Sequence, residues 1–171
     1  MTRSRRTART NGTRFETAMA GYLRWALDDR RIQRLRLHGA KDLGDIGNVF
    51  FFGEPVTIEC KWTSAPNIGP HMREADREAG NQDSPYPWVL QKAAGVGLST
   101  IRRQGMQLAY TYTDVLEQML GHVDIRTIDR VTEGSQAVGR NKDVTMITVH
   151  QFALLCNYGQ PLGPDADGGE S

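Results

Sequence analysis

Cysteine is scarce in this 171-residue chain, which carries only Cys60 and Cys156. Cys60 sits in an alternating apolar run and Cys156 beside Leu154 and Leu155, so both read as buried, unpaired thiols without metal-binding spacing. A reducing intracellular compartment is the matching expectation. Long hydrophobic runs are missing too. No apolar stretch approaches the roughly 20 residues that a membrane-spanning helix needs, and no apolar core follows the basic N-terminus as in a signal peptide. The four histidines, His38, His71, His122 and His150, form no pair at helical metal-ligand spacing and read as surface or loosely packed residues. Gly95-Val96-Gly97 lacks the full phosphate-cradling glycine pattern, and no repeat of solenoid type is present.

What remains is an ordinary soluble composition, 39% hydrophobic and 24% charged, with enough chain for one buried core. The net charge of +1 conceals an uneven layout. Residues 1–36 hold ten Lys/Arg against three acids, leaving eleven against seventeen for the remainder. A basic front on an acidic body suits a protein that grips a polyanion with one edge; a solubilising leader explains the charge equally well.

Residues 1–11 are polar and Arg-rich without apolar periodicity, and are expected to form a disordered basic arm. Phe15, Ala18, Met19, Tyr22, Leu23, Ala26 and Leu27 then recur on one helical face, with Thr13 and Glu16 as a capping box at its start. A short imperfect strand over 32–37 and a Gly-rich turn over 38–44 lead into the apolar run 45–52. After the turn signal Gly53-Glu54-Pro55, Val56, Ile58, Cys60 and Trp62 alternate with Thr57, Glu59 and Lys61, so the two runs read as a β-hairpin. A helix over 66–81, strands over 88–91 and 106–111, and a helix over 114–120 capped by Thr113 complete a core domain spanning 12–120. Residues 121–158 read as an extension packed on that core: a loop over 134–143, a strand over 144–149 and a short helix over 151–158. A loose tail is expected over 159–171. The order α-β-β-β-α-β-β-α predicts an α/β fold, a mixed sheet flanked by helices.

The chemistry concentrates in Gly44-Asp45-Ile46 and Ile58-Glu59-Cys60-Lys61. Glu59 and Lys61, two apart on a strand, share a face, and the hairpin brings Asp45 beside them if its register allows. Two carboxylates there make a hard oxygen site suited to Mg²⁺, with Mn²⁺ as a substitute. Such an ion polarises a phosphate oxygen and lowers the pKa of a bound water, while a nearby lysine orients the water and offsets developing charge. The competing reading is a surface salt pair. The acid after a Gly-rich turn, the apolar flanks and the hairpin spacing favour a catalytic set.

The pattern Gly39-Ala40-Lys41-Asp42-Leu43-Gly44-Asp45-Ile46 followed by Ile58-Glu59-Cys60-Lys61 resembles the PD-(D/E)xK nuclease superfamily. More narrowly, with the helix start Gly12-Thr13-Arg14-Phe15-Glu16, it resembles the phage and actinobacterial Holliday junction resolvase-like endonucleases. The resemblance covers roughly residues 11–92, with Gly44 where the superfamily name has proline. It implies a restriction-endonuclease-like core and a Mg²⁺-dependent endonuclease that cuts branched DNA, such as four-way junctions. A homodimer in the cytoplasm of a bacterial or phage-infected cell is part of the same expectation. It assigns metal binding to Asp45 and Glu59 and the catalytic lysine to Lys61. Glu16 is a further metal ligand in that scheme, although the capping box explains it without chemistry. Arg5, Arg6 and Arg9 with Arg3 are candidates for a DNA-gripping arm, and Arg14, Arg34, Arg36 and Lys41 for phosphate contacts. Restriction-type and repair nucleases of the same fold, and an inactive DNA-binding protein, are the alternatives.

Overall fold

The computed structural model describes residues 4–36 and 41–164. Arg3, His38 and the end of the expected tail lie outside the described residues. Among the described residues, eight strands form one mixed sheet: β1 (Gln33–Arg34), β2 (Ile46–Gly47), β3 (Phe50–Phe51), β4 (Glu54–Lys61), β5 (Tyr86–Gln91), β6 (Leu108–Tyr112), β7 (Gln136–Val138) and β8 (Val144–Thr148). The spatial order is β1-β2-β4-β5-β6-β8-β7, with β3 also paired to β4. Of these pairs, β4 and β5 run parallel and the others antiparallel. Parallel neighbours need a crossover, and α2 (Ile68–Asn81) supplies it.

Helices cover both faces. On one, α1 (Arg5–Ala26), α4 (Thr113–Leu120), α5 (Ile125–Thr132) and α6 (Val149–Cys156) share a core with Val56, Ile58, Cys60, Trp88, Leu90, Ala109 and Ile147 of the sheet. On the other, Met72 and Ala75 of α2 pack with Val89, Tyr110 and Val144. Strand alternation sends Val56, Ile58 and Cys60 to the first face and Thr57, Glu59 and Lys61 to the α2 face.

Several expectations are corrected. Residues 5–11 are not a disordered arm: α1 begins at Arg5, where the Ser4 hydroxyl accepts from the Thr7 amide at 3.3 Å. Arg and Ala are strong helix formers, and a helix nucleated by the packed segment from Phe15 onward extends cheaply toward its N-terminus. Thr13 and Glu16 therefore lie inside the helix, and the capping box dissolves as an explanation of Glu16. Residues 121–158 are not an extension laid on a finished core. β8 pairs with β6 over five positions, and Val149, Phe152, Ala153, Leu154, Leu155 and Cys156 of α6 are buried in the same cluster as α1. The segment 134–143 holds β7, and α3 (Ile101–Gly105) and α5 were not expected at all. Residues 159–164 are tied down: the Gly163 amide donates to Ala26 O at 3.0 Å, and Leu162 packs on the core. His71 is buried on α2, its Nδ1 hydrogen-bonded to the Tyr110 hydroxyl at 3.1 Å. Cys60 and Cys156 are buried free thiols, as expected. No helix among the described residues is long and apolar enough to cross a membrane.

Candidate active site

Register decides whether Asp45 can join Glu59 and Lys61, and a single residue sets it. At the hairpin tip Phe51 pairs with Glu54 and Phe50 with Pro55; continued without interruption, that register would set Asp45 against Cys60, whose side chain faces the α1 core. Instead Ile46 pairs with Ile58. The extra residue is Asn48, in the left-handed region at φ 66°, followed by Val49, whose carbonyl accepts from the Val56 amide at 2.9 Å. This β-bulge shifts the ladder by one and moves Asp45 from the Cys60 side to the Glu59 side. The Asn48 side chain holds the bulge by donating to Arg31 O at 2.8 Å.

Asp45 is then anchored on both sides of Glu59. Its amide donates to Ile58 O at 2.8 Å, and its Oδ2 accepts from the Cys60 amide at 2.8 Å. Gly44 makes this close approach possible: its φ is +92°, and a Cβ there would lie 2.9 Å from Ile58 O. Glycine is the residue that tolerates both conditions.

On the α2 face, Lys61 Nζ lies 2.5 Å from Glu59 Oε1 and 2.6 Å from Glu74 Oε2. Glu74 and Glu78, four apart on α2, project from neighbouring turns. Ligand oxygens of Glu59, Glu74 and Glu78 all lie within 4.8 Å of one another. Glu78 is 1% exposed, and its Oε2 has no hydrogen-bond partner.

Crowding buried carboxyls raises their proton affinity. Burial, then the charge of Glu59, pushes Asp45 up to about 8. Glu59 is likewise pushed up to about 8 by burial and by its hydrogen bond to and repulsion from Glu78. Burial lifts Glu78 to about 7, against the lowering effect of its bond to Glu59. Burial disfavours the Lys61 ammonium, but hydrogen bonds to Glu59 and Glu74 and their charges outweigh it, so Lys61 titrates above an ordinary lysine. A charged lysine is thus held among carboxyls that outnumber it.

The assigned residues are not all gathered. Lys61 contacts Glu59 directly, and Asp45 lies near enough for the charges of both to act on it. Glu16 reaches close enough for its charge to raise the Asp45 pKa, yet it is engaged by Arg34, whose Nε donates to Glu16 Oε2 at 2.5 Å. Among the described residues, the three-acid group with mutually close ligand atoms is Glu59, Glu74 and Glu78, not Asp45, Glu59 and Glu16. The Asp45 carboxylate is turned to a backbone amide and Glu16 to a guanidinium, which separates them. Arg34 is accordingly occupied as an ion-pair partner, whereas Arg5, Arg6, Arg9, Arg14, Arg36 and Lys41 are exposed. Lys92, at the end of β5, lies 5.2 Å over the Trp62 ring; burial and the nearby charge of Arg14 lower its pKa.

Glu74 and Glu78 went unnoticed in the sequence because their partners come from another element. One signal was present: Glu78 falls on the apolar stripe of α2, in line with Met72, Ala75 and Ala79, where an unpaired charge is out of place. Comparison with protein-family models, curated proteins and solved structures finds no match.

Proposed function

We propose that this chain is a Mg²⁺-dependent DNA endonuclease with a restriction-endonuclease-like core of the PD-(D/E)xK type. The observation that carries the reading is the Asn48 bulge, which sets Asp45 beside the Glu59–Lys61 pair and within reach of both charges. The residues fit a hard divalent cation. All donors are carboxylate oxygens, and Asp45 and Glu59 repel one another with the Lys61 charge opposing that repulsion.

Asp45 and Glu59 would hold the ion, which when bound supplies charge stabilisation at phosphorus and an acidified water. Lys61, held protonated by Glu59 and Glu74, acts as a donor and charge clamp toward a phosphate oxygen or the attacking water rather than as a base. Glu74, on the half-exposed side of the pocket, keeps the ammonium directed between the strand and α2. Glu16 is a positioning residue in this scheme, fixing Arg34 beside the entry to β2. Exposed Arg5, Arg6 and Arg9 at the start of α1 supply sequence-independent phosphate contacts.

The substrate class proposed is branched DNA, four-way junctions in particular. A homodimer is proposed with it, since two sites related by a twofold axis suit paired nicks. The test compares a labelled four-way junction with linear duplex of the same sequence in Mg²⁺ or Mn²⁺. Paired symmetric cuts that vanish in Lys61→Ala support the proposal. Tight binding without cleavage in either metal marks an inactive DNA-binding protein, and cleavage of linear duplex at one sequence marks a restriction-type enzyme.

A further inference from the structure

We propose that Glu74 and Glu78 of α2, sharing Glu59 of β4, form a second divalent-cation position that takes Mg²⁺ or Mn²⁺, separate from the one at Asp45. Its part in strand cleavage rests on the nuclease reading; the cation position itself does not.

Glu78 is the decisive residue. It is 1% exposed, and its Oε2 is the buried side-chain polar atom left without a partner among the described residues. Leaving a buried carboxylate oxygen unpaired is costly, and glutamine or an apolar side chain would fill the same space on α2 more cheaply. Glu74 has a structural explanation, its contact with Lys61 at 2.6 Å. Glu78 meets only another carboxyl, that of Glu59; among the described residues no Lys, Arg or His lies within ion-pair distance of it. What it does meet is oxygen from Glu59 and Glu74 within 4.8 Å, a donor set that suits a small, hard cation.

Charge counting points the same way. Glu59 and Glu74 contact the Lys61 ammonium, and Glu78 and Asp45 are two further carboxyls whose charges reach this cluster. A single divalent ion at Asp45 and Glu59 leaves the α2 pair undercompensated, and a second ion between Glu59 and α2 supplies the missing charge. Lys61 Nζ, bridging Glu59 and Glu74, marks where positive charge already collects. An ion arriving there would share those carboxylates and loosen the hold of Glu74 on Lys61, leaving the ammonium freer to meet a substrate phosphate. With both positions filled, the added positive charge would help neutralise a phosphate bound beside Lys61.

Isothermal titration of MnCl₂ into the full chain, free of chelator at pH 7.5, tests this. Wild type is expected to bind two ions per chain. In Glu78→Gln one is lost, in Glu74→Gln one binds at least tenfold more weakly, and in Asp45→Asn the other is lost. Melting curves establish that each variant is folded; Glu74 is half-exposed, so Glu74→Gln decides the matter if Glu78→Gln does not fold. Unchanged isotherms in both α2 variants, with all binding lost in Asp45→Asn, overturn the second position and leave the nuclease reading standing. Loss of all binding in Glu78→Gln with none lost in Asp45→Asn keeps the α2 position and removes the ion assigned to Asp45. A wild-type chain that binds no Mn²⁺ overturns both.

Discussion

Acidification from pH 8 to pH 7 is expected to stabilise the metal-free protein. Asp45 and Glu59 are pushed up to about 8 and Glu78 to about 7, each chiefly by burial, whereas free Asp and Glu titrate near 4. Between pH 7 and 8 the unfolded chain therefore binds essentially none of these protons and the folded chain binds some. Folding takes up protons, so stability falls as pH rises through the folded-state values. The three carboxyls titrate as a coupled set, and about one shared proton sets the scale of what the folded state retains. One such proton is worth about 1.4 kcal/mol per pH unit, or roughly 3–6 °C in Tm for a chain of this length. His71, whose pKa burial lowers, opposes the trend only weakly, because the unfolded imidazole is already mostly neutral at pH 7. Melting curves in EDTA at the two pH values measure the shift. Glu78→Gln and Asp45→Asn are each expected to reduce it, and saturating Mn²⁺ to erase it, since a cation takes the place of the proton. A Tm in EDTA that is flat or rises from pH 7 to pH 8 refutes the premise that buried carboxyls outnumber their counter-charges.

Gly44→Ala, with φ +92° and a Cβ 2.9 Å from Ile58 O, is expected to cost about 1–3 kcal/mol in denaturant melts and to weaken Mn²⁺ binding; unchanged binding would dissociate the turn from the site. Phe152→Ala removes a ring buried 4.7 Å from that of Trp88. A loss of about 3–5 kcal/mol is expected, and a loss under 1 kcal/mol would contradict the placement of α6 in the main core. Replacing Arg5, Arg6 and Arg9 with alanine is expected to leave Tm nearly unchanged. The salt dependence of duplex binding should fall by roughly 0.9 log units per phosphate contact removed, and an unaltered slope would exclude the start of α1 from the DNA contact.

How much was legible in the sequence follows from the range of each interaction. The alternation of Val56 to Trp62 and the helix-forming composition of 66–81 are local signals, and β4 and α2 form where they predict. Asp45, Glu59 and Lys61 stood out for the same reason, as they lie on two runs joined by a tight turn. The register between those runs was not legible, because it depends on one left-handed residue, Asn48, whose side chain bonds a backbone carbonyl 17 positions earlier. Glu74 and Glu78 belong to the pocket only through the packing of α2 across β4. The standing of residues 121–158 depends on pairing between β6 and β8, which lie more than thirty positions apart in sequence. Residues 5–11 carry no apolar face, so periodicity was silent about a helix that propagates into them from Phe15.

Strand cleavage is the most direct measure of the central claim. End-labelled DNA, branched and linear, is incubated with the folded chain across a Mn²⁺ titration, and the products are resolved under denaturing conditions beside a Glu59→Gln control. Cleavage is expected to rise with Mn²⁺, to stop with EDTA and to be absent in Glu59→Gln. Intact DNA at every Mn²⁺ concentration, or equal cutting by the control, would contradict it.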